Sequence, residues 1–304
     1  MEEVIRQVFE HNIKLIEKTD KAVYYFREEQ YDKALAYVAD SVEGINSLVR
    51  AILEEREYFS NVEEASVISM IEGMLLAKKS GDYVLLADLY ELQLSNFISG
   101  IQEMIIEKEE FPYSVEIYER NLKQIEIIDL ELCKKLREPE EPSKLLEKGY
   151  AVEYSSCGLM TLAALQSGDK FYFHTNSHVM QEAFLLARNW ASHNAKIFHV
   201  YGLGLSYHIK ELLNLAANAD IYIYESDFNI IRLTCNFVDM KDILSNDRVH
   251  FIFDENLEKI KKAIEHASEE EYIAVHYPSY RNEKKDKTCL EPYIPWIHVL
   301  EDCE

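Results

Sequence analysis

The stretch HVYGLGLSYH at 199–208 and the run IYIYESD at 221–227 carry the residue types best suited to chemistry. Residues 197–201 are a short apolar run suited to a buried parallel strand. Gly202 and Gly204 then permit a sharp turn where a side chain would clash with a close ligand or with the next helix. Residues 206–215 are expected to form that helix, with its free N–H groups and positive dipole end facing an anion or a ribose phosphate. Glu225, about 20 residues past the glycines, stands where a carboxylate accepts hydrogen bonds from a ribose diol. Tyr207 takes the third small position of the G-x-G-x-x-G/A fingerprint, which argues against an ordinary pyrophosphate site. Two readings stay open. Gly202, Gly204, Ser206, His208 and Glu225 bind a nucleotide-like ligand, or the glycines serve close strand–helix packing.

A catalytic centre would need a base or nucleophile beside that turn. His208, Asp254 just after VHFIF (249–253) and His276 near the end of EYIAVH are the candidates, all at ends of expected strands or helices, where doubly wound sheets place ligands. Such residues serve equally well as hydrogen-bonded structural groups, so no catalytic set is assigned and Asp254 is grouped with the ligand-binding candidates. No cofactor is specified. Neither histidines nor cysteines show zinc-ligand spacing, and no E-x-x-H pairs suggest a di-iron centre.

The elements that must position these residues are set by length and composition. A chain of 304 residues with 29% charged and 48% apolar residues has room for two ordinary cores. Its formal net charge of −23, spread through both halves, repels nucleic acid and anionic membranes. There is no run of about 20 apolar residues and no basic-then-apolar leader, so a cytoplasmic protein is expected. Cys133, Cys157, Cys235, Cys289 and Cys303 are odd in number and lack C-x-x-C spacing, which fits reduced thiols.

Val4, Val8, Ile13 and Ile16 begin an apolar stripe at helical spacing, and Ala34, Tyr37, Val38, Ser41 and Val42 continue it in a second helix to about Glu54. Ser60 and Glu63 have capping-box spacing for a third helix, and Ser80-Gly81-Asp82 breaks the chain before a fourth that reaches about Glu107. Tyr24, Tyr25, Phe26, Met70 and Met74 are expected in its core. Phe111-Pro112 marks a boundary, residues 115–136 a connecting helix, and the remainder alternates strands and helices. The fold class expected is α plus α/β: an N-terminal antiparallel helical bundle over 1–112, then a Rossmann-like three-layer α/β domain over 113–304. The second includes the linker helix and an irregular tail with Pro292 and Pro295. The bundle suits docking of a partner helix or a homo-oligomer contact.

The G-x-G-x-S turn with an acidic strand end resembles the first two motifs of class I S-adenosylmethionine-dependent methyltransferases. In order, SSCGLMTLAAL, FYFHTNSHVMQEAFLLA, VYGLGLSYHIKELL, IYIYESD and AVHYPSYR resemble the N-terminal region of the motility accessory factor glycosyltransferases, over about 115–285. That family transfers nonulosonic acids from CMP-activated donors to flagellin serine or threonine. Ser206 stands where the family has glycine, and Val179 where it has proline. The family's transferase domain opens with a glycine-proline-serine motif that does not occur here. The resemblance therefore implies an accessory protein of flagellin glycosylation or flagellar assembly, partnered by flagellin, a flagellin chaperone or a separate transferase subunit. The alternative is a transferase that binds a nucleotide or nucleotide-sugar at Gly202, Gly204 and Glu225.

Overall fold

The computed structural model describes residues 3–111, 114–138, 144–145, 148–166 and 169–295. Pro112, the last part of the C-terminal tail with Cys303, and most of the charged stretch before Gly149 lie outside the described residues. The chain forms two compact units: unit 1 runs to Phe111 and adds Tyr154–Leu159 and Asn176–Gln181, and unit 2 takes the rest.

Unit 1 is helical, with α1 (Glu3–Arg27), α2 (Tyr31–Glu54), α3 (Glu64–Ser80), α4 (Tyr83–Leu89) and α5 (Ser95–Lys108). The buried stripe of α1 is Ile5, Val8, Leu15, Ile16 and Val23, shifted from the expected one so that Val4 lies at the surface. It packs against α2 and α5. Val38 and Ser41 of α2, and Met70 and Met74 of α3, are buried, as is Phe26, while Val42 is exposed. Asp82 caps α4, its carboxylate accepting the Leu85 N–H at 2.9 Å, after Gly81 has turned the chain in the left-handed region at φ 72°.

The third helix starts at Glu64, later than Ser60 implied. Phe59 is the reason: it is buried, and its N–H bonds to the Glu55 carbonyl at 3.0 Å, so the chain is held in turns through this stretch. The fourth helix contains a π-turn at Tyr90–Leu94 between α4 and α5. One extra residue per turn there rotates the apolar stripe of α5 relative to that of α4.

The two returning segments complete the unit. Phe9 lies 4.7 Å from Phe111 and 6.1 Å from Tyr154 between ring centroids. Gln102, fully buried, accepts from Asn12 at 3.2 Å and donates to the Phe9 carbonyl at 3.1 Å. His178 meets buried Asp20 at 3.0 Å; their pairing raises the imidazole's pKa, while burial raises the carboxyl's.

Unit 2 begins with two helices where one was expected, α6 (Val115–Ile128) and α7 (Leu130–Arg137). Asp129 breaks them with an extended backbone and caps the second through the Leu132 N–H at 2.9 Å. A three-stranded sheet follows, in the order β1 (Tyr150–Tyr154), β2 (Met160–Gln166), β3 (Asp169–Tyr172). β2 pairs antiparallel with β3, Ala163 opposite Tyr172. Next come α8 (Val179–Ala191), β4 (Ile197–Tyr201), α9 (Tyr207–Leu215), β5 (Asp220–Glu225), α10 (Phe228–Phe237) and α11 (Lys241–Leu244). The described chain ends with β6 (Val249–Phe253), α12 (Glu258–His266), β7 (Glu271–Val275), α13 (Tyr277–Asn282) and a 3-10 turn at Thr288–Tyr293.

Strands β4 to β7 form a parallel sheet in the order β6-β5-β4-β7. The chain steps outward from β4 to β5 and β6, then returns to the other side of β4 for β7. Sheet order therefore reverses beside β4, the place where parallel sheets of this kind leave a crevice at their C-terminal ends. Phe198, Val200, Ile221 and Ile223 are fully buried, as central strands require.

Candidate functional site

The glycine turn sits at that reversal. Gly202 and Gly204 have φ of 100° and 48°, and Ser206 just before α9 has φ of 64°, so three of five consecutive residues adopt the left-handed backbone. The space their missing side chains leave is occupied by unit 2 itself. A Cβ on Gly202 would run into Ser279 and lie 3.0 Å from the Cβ of His276, and one on Gly204 would lie 2.7 Å from Nε2 of His174.

Two buried imidazoles and one carboxyl hold this loop by its backbone, and a third imidazole, His276, packs beside it. The Leu205 N–H donates to His174 Nε2 at 2.8 Å. His208 donates from Nε2 to the Gly202 carbonyl at 3.0 Å. His276 donates from Nε2 to the Phe173 carbonyl at 3.1 Å and accepts the Ser279 hydroxyl at Nδ1, 2.8 Å away. The hydrogen bonds fix these tautomers, because a carbonyl only accepts and an amide N–H only donates. Thr234 adds a hydroxyl to the Gly204 carbonyl at 2.6 Å. Ser206 is buried and its N–H closes onto the Leu203 carbonyl at 2.8 Å.

Glu225, 2% exposed, accepts the Leu203 N–H at 2.8 Å on one oxygen and the Asp227 N–H at 2.8 Å on the other. Each oxygen thus holds one backbone N–H, one from the glycine turn and one from its own strand end. Burial raises its pKa to about 8, although the backbone donors favour the carboxylate. The histidines shift the opposite way for the same reason: burial holds His208 near pKa about 4 and pushes His174 and His276 well below the usual imidazole range. Neutral rings also match the geometry, since His174 and His276 each accept a hydrogen bond on one nitrogen.

His174, His208 and His276 each offer a nitrogen within 4.8 Å of the others, the one group among the described residues with that property. Their rings lie nearly parallel, His208 and His276 at 13° with centroids 4.4 Å apart and His174 and His276 at 25° and 5.3 Å. Parallel rings direct their in-plane lone pairs side by side instead of toward one point. Of the nitrogens of these three rings, His208 Nδ1 is the one buried without a hydrogen bond, so a cation bound by all three would have to displace the bonds from Leu205 and Ser279. The donor set fits a backbone clamp and does not fit a metal centre. Sequence spacing gives no sign of the cluster, because its members follow β3, begin α9 and follow β7.

Asp254, 4% exposed, accepts the Lys259 N–H at 3.0 Å and the Ile260 N–H at 2.8 Å, so it caps the start of α12. Of the residues singled out in the sequence, Gly202, Gly204, Ser206, His208, Glu225 and His276 are brought together at one loop, and Asp254 is bound to the next one.

An open cleft of about 750 Å³ lies beside this loop, at the C-terminal ends of β5 and β6, with Glu225 in its wall together with Tyr150, Ser226, Asp227, Phe253 and Asn282. Tyr150 donates its hydroxyl to Asp227, and Asn282 reaches both the Tyr150 hydroxyl at 3.0 Å and the Asp227 carboxylate at 3.2 Å. Asp227 also caps α10 through the Asn229 N–H at 2.8 Å. Burial and the adjacent carboxylate raise the Tyr150 pKa, so its phenol stays a donor. Asp227 carries a sequence signal, an acidic residue directly before FNIIRL; Tyr150 and Asn282 carry none, since only the fold joins them.

Residues 3–104 match the model of a family described as a domain of unknown function, DUF8042. No curated protein and no solved structure matches the chain. No helix among the described residues is long and apolar enough to cross a membrane.

Proposed function

We propose that this chain is a non-catalytic accessory protein that works through protein interaction, with unit 2 a Rossmann-like scaffold. The observation that carries the reading is the packed glycine turn. His174, His276 and Ser279 stand where a ribose phosphate would approach Gly202 and Gly204, and both Glu225 oxygens are engaged by backbone N–H groups. The resemblance to motility accessory factor glycosyltransferases points the interaction toward flagellin, a flagellin chaperone or a separate transferase subunit. A cytoplasmic setting goes with it.

Calorimetric titration of the full chain with CMP, a CMP-activated nonulosonic acid, S-adenosylmethionine and NAD tests the reading. No saturable heat with any of the four is the expected outcome; saturable binding that disappears in Gly204→Val would overturn it.

The second reading, a nucleotide-binding transferase, draws on the open cleft beside Glu225. There a ligand would meet Tyr150, Asp227 and Asn282 and would leave the glycines untouched. Its signature in the same titration is binding that survives Gly204→Ala but weakens in Tyr150→Phe.

A further inference from the structure

Unit 1 has an open groove of about 490 Å³ between the first half of α3 and α5. Its floor is Val67, Met70, Phe97, Ile101 and Met104. Methionines make such a surface adaptable to different apolar side chains. The π-turn at Tyr90–Leu94 immediately precedes it and contributes Gln93 to the lining, and such turns in long helices are frequent at functional positions. At Gly100 the groove wall is open: a Cβ added there meets nothing within 4 Å. From Gln93 in the π-turn to Met104 in α5 the wall is about 16 Å long, the rise of about three helical turns.

Charge says what fits. Glu63 is the one charged lining residue, and Glu103 and Glu107 follow Gly100 and Met104 by one helical step on the same face. Residues 3–104 carry 19 carboxylates and 10 lysines or arginines. Lys108, the cation at the end of α5, is occupied by the Tyr58 carbonyl at 2.5 Å. A second copy of this chain would bring the same acidic rim against it, at a cost in like-charge repulsion.

We infer that this groove binds an amphipathic helix of a partner protein, about three turns long, with apolar residues at i, i+3/i+4 and i+7 and lysine or arginine on its flanks. The inference rests on the accessory reading above and assigns that role a surface. It also accounts for a groove whose floor is apolar and whose border is acidic.

The test uses the full chain and two synthetic peptides of about three turns: one with leucines at the anchor positions and lysines elsewhere, the other with the lysines replaced by glutamates. Fluorescence anisotropy should show saturable, salt-sensitive binding of the lysine peptide alone. Gly100→Arg puts bulk and positive charge into the groove from an exposed helical position where a Cβ meets nothing within 4 Å. It should weaken binding by about tenfold or more with a melting temperature no lower than that of the wild type. Glu103→Lys with Glu107→Lys should weaken it as well. No binding of the lysine peptide, or equal binding by wild type and Gly100→Arg, overturns the assignment. So does a dimer, seen by sedimentation, that Gly100→Arg dissolves, because the occupant would then be a second copy. Nucleotide binding in unit 2 would overturn the accessory reading and leave these peptide results unchanged, so the two failures are distinguishable.

Discussion

Glu225 and the three histidines of unit 2 are buried side chains whose charged forms are penalised, yet they respond to pH in opposite senses. His208 is lowered in the fold to about 4, so its contribution is fully present above pH about 6.5 and is lost as pH falls toward 4. The shift corresponds to about 3 kcal/mol at most, and His174 and His276 act in the same direction. Glu225 is raised to about 8, so its contribution is fully present below the ordinary carboxyl value and is lost as pH rises toward 8. Stability of unit 2 should therefore rise from pH 4 to a maximum near 6.5 and decline modestly above it. Urea unfolding followed by near-ultraviolet circular dichroism across that range is the check. His208→Phe should flatten the acid limb and Glu225→Gln the alkaline one; superimposable wild-type and His208→Phe profiles would remove the histidine from the account. At the same loop, Gly204→Ala places a Cβ in the left-handed region 2.7 Å from His174 and should cost about 2 kcal/mol or more, read as a lower urea midpoint.

Helix boundaries show which local chemistry can be read along the chain and which cannot. Gly81-Asp82 combines a residue at ease with positive φ and a short acceptor, and the fourth helix starts there as its sequence implies. Asp129 is equally effective as a cap but stands inside apolar spacing that continues from 115 to 136 without interruption, so the break is hidden. The π-turn is hidden for a different reason: one inserted residue shifts the stripe without introducing glycine or proline. In the site, the glycines, Ser206 and Glu225 were legible because their spacing is local. What fills the space above the glycines was not, since His174, His276 and Ser279 arrive from other elements. The strand β2 is marked by LAAL, whose alanines pair across to Phe171 and Tyr172 and have no β-branched signal of their own. Among these local devices Asp254 is the one most exposed to test. Asp254→Ala leaves the Lys259 and Ile260 N–H groups without their acceptor and should cost about 1–2 kcal/mol, with faster amide hydrogen exchange at the start of α12. Unaltered exchange there would mean that Leu257 and the turn alone start the helix.

At the level of the whole chain, unit 1 is discontinuous. Residues up to Phe111 supply its helices, but Tyr154–Leu159 and Asn176–Gln181 supply the ring against Phe9, the Cys157 carbonyl facing Gln102 at 3.4 Å, and His178 against Asp20. Without them, Asp20 is a buried carboxylate missing its partner. A fragment of residues 1–111 should retain helical circular dichroism but melt with a broader transition and at a lower temperature than unit 1 in the full chain. A sharp transition at the full-chain temperature would show that the returning segments are dispensable.

That discontinuity also sets a timetable for synthesis. Protein is made from the N-terminus at about 5–20 residues per second, and domains made first ordinarily close first. Here the helices are complete at Phe111, while the last segment of their unit ends at Gln181, about 70 residues later and several seconds behind at that rate. For that interval the nascent helices stand with Phe9, Gln102 and Asp20 lacking the partners that Tyr154, Cys157 and His178 later supply.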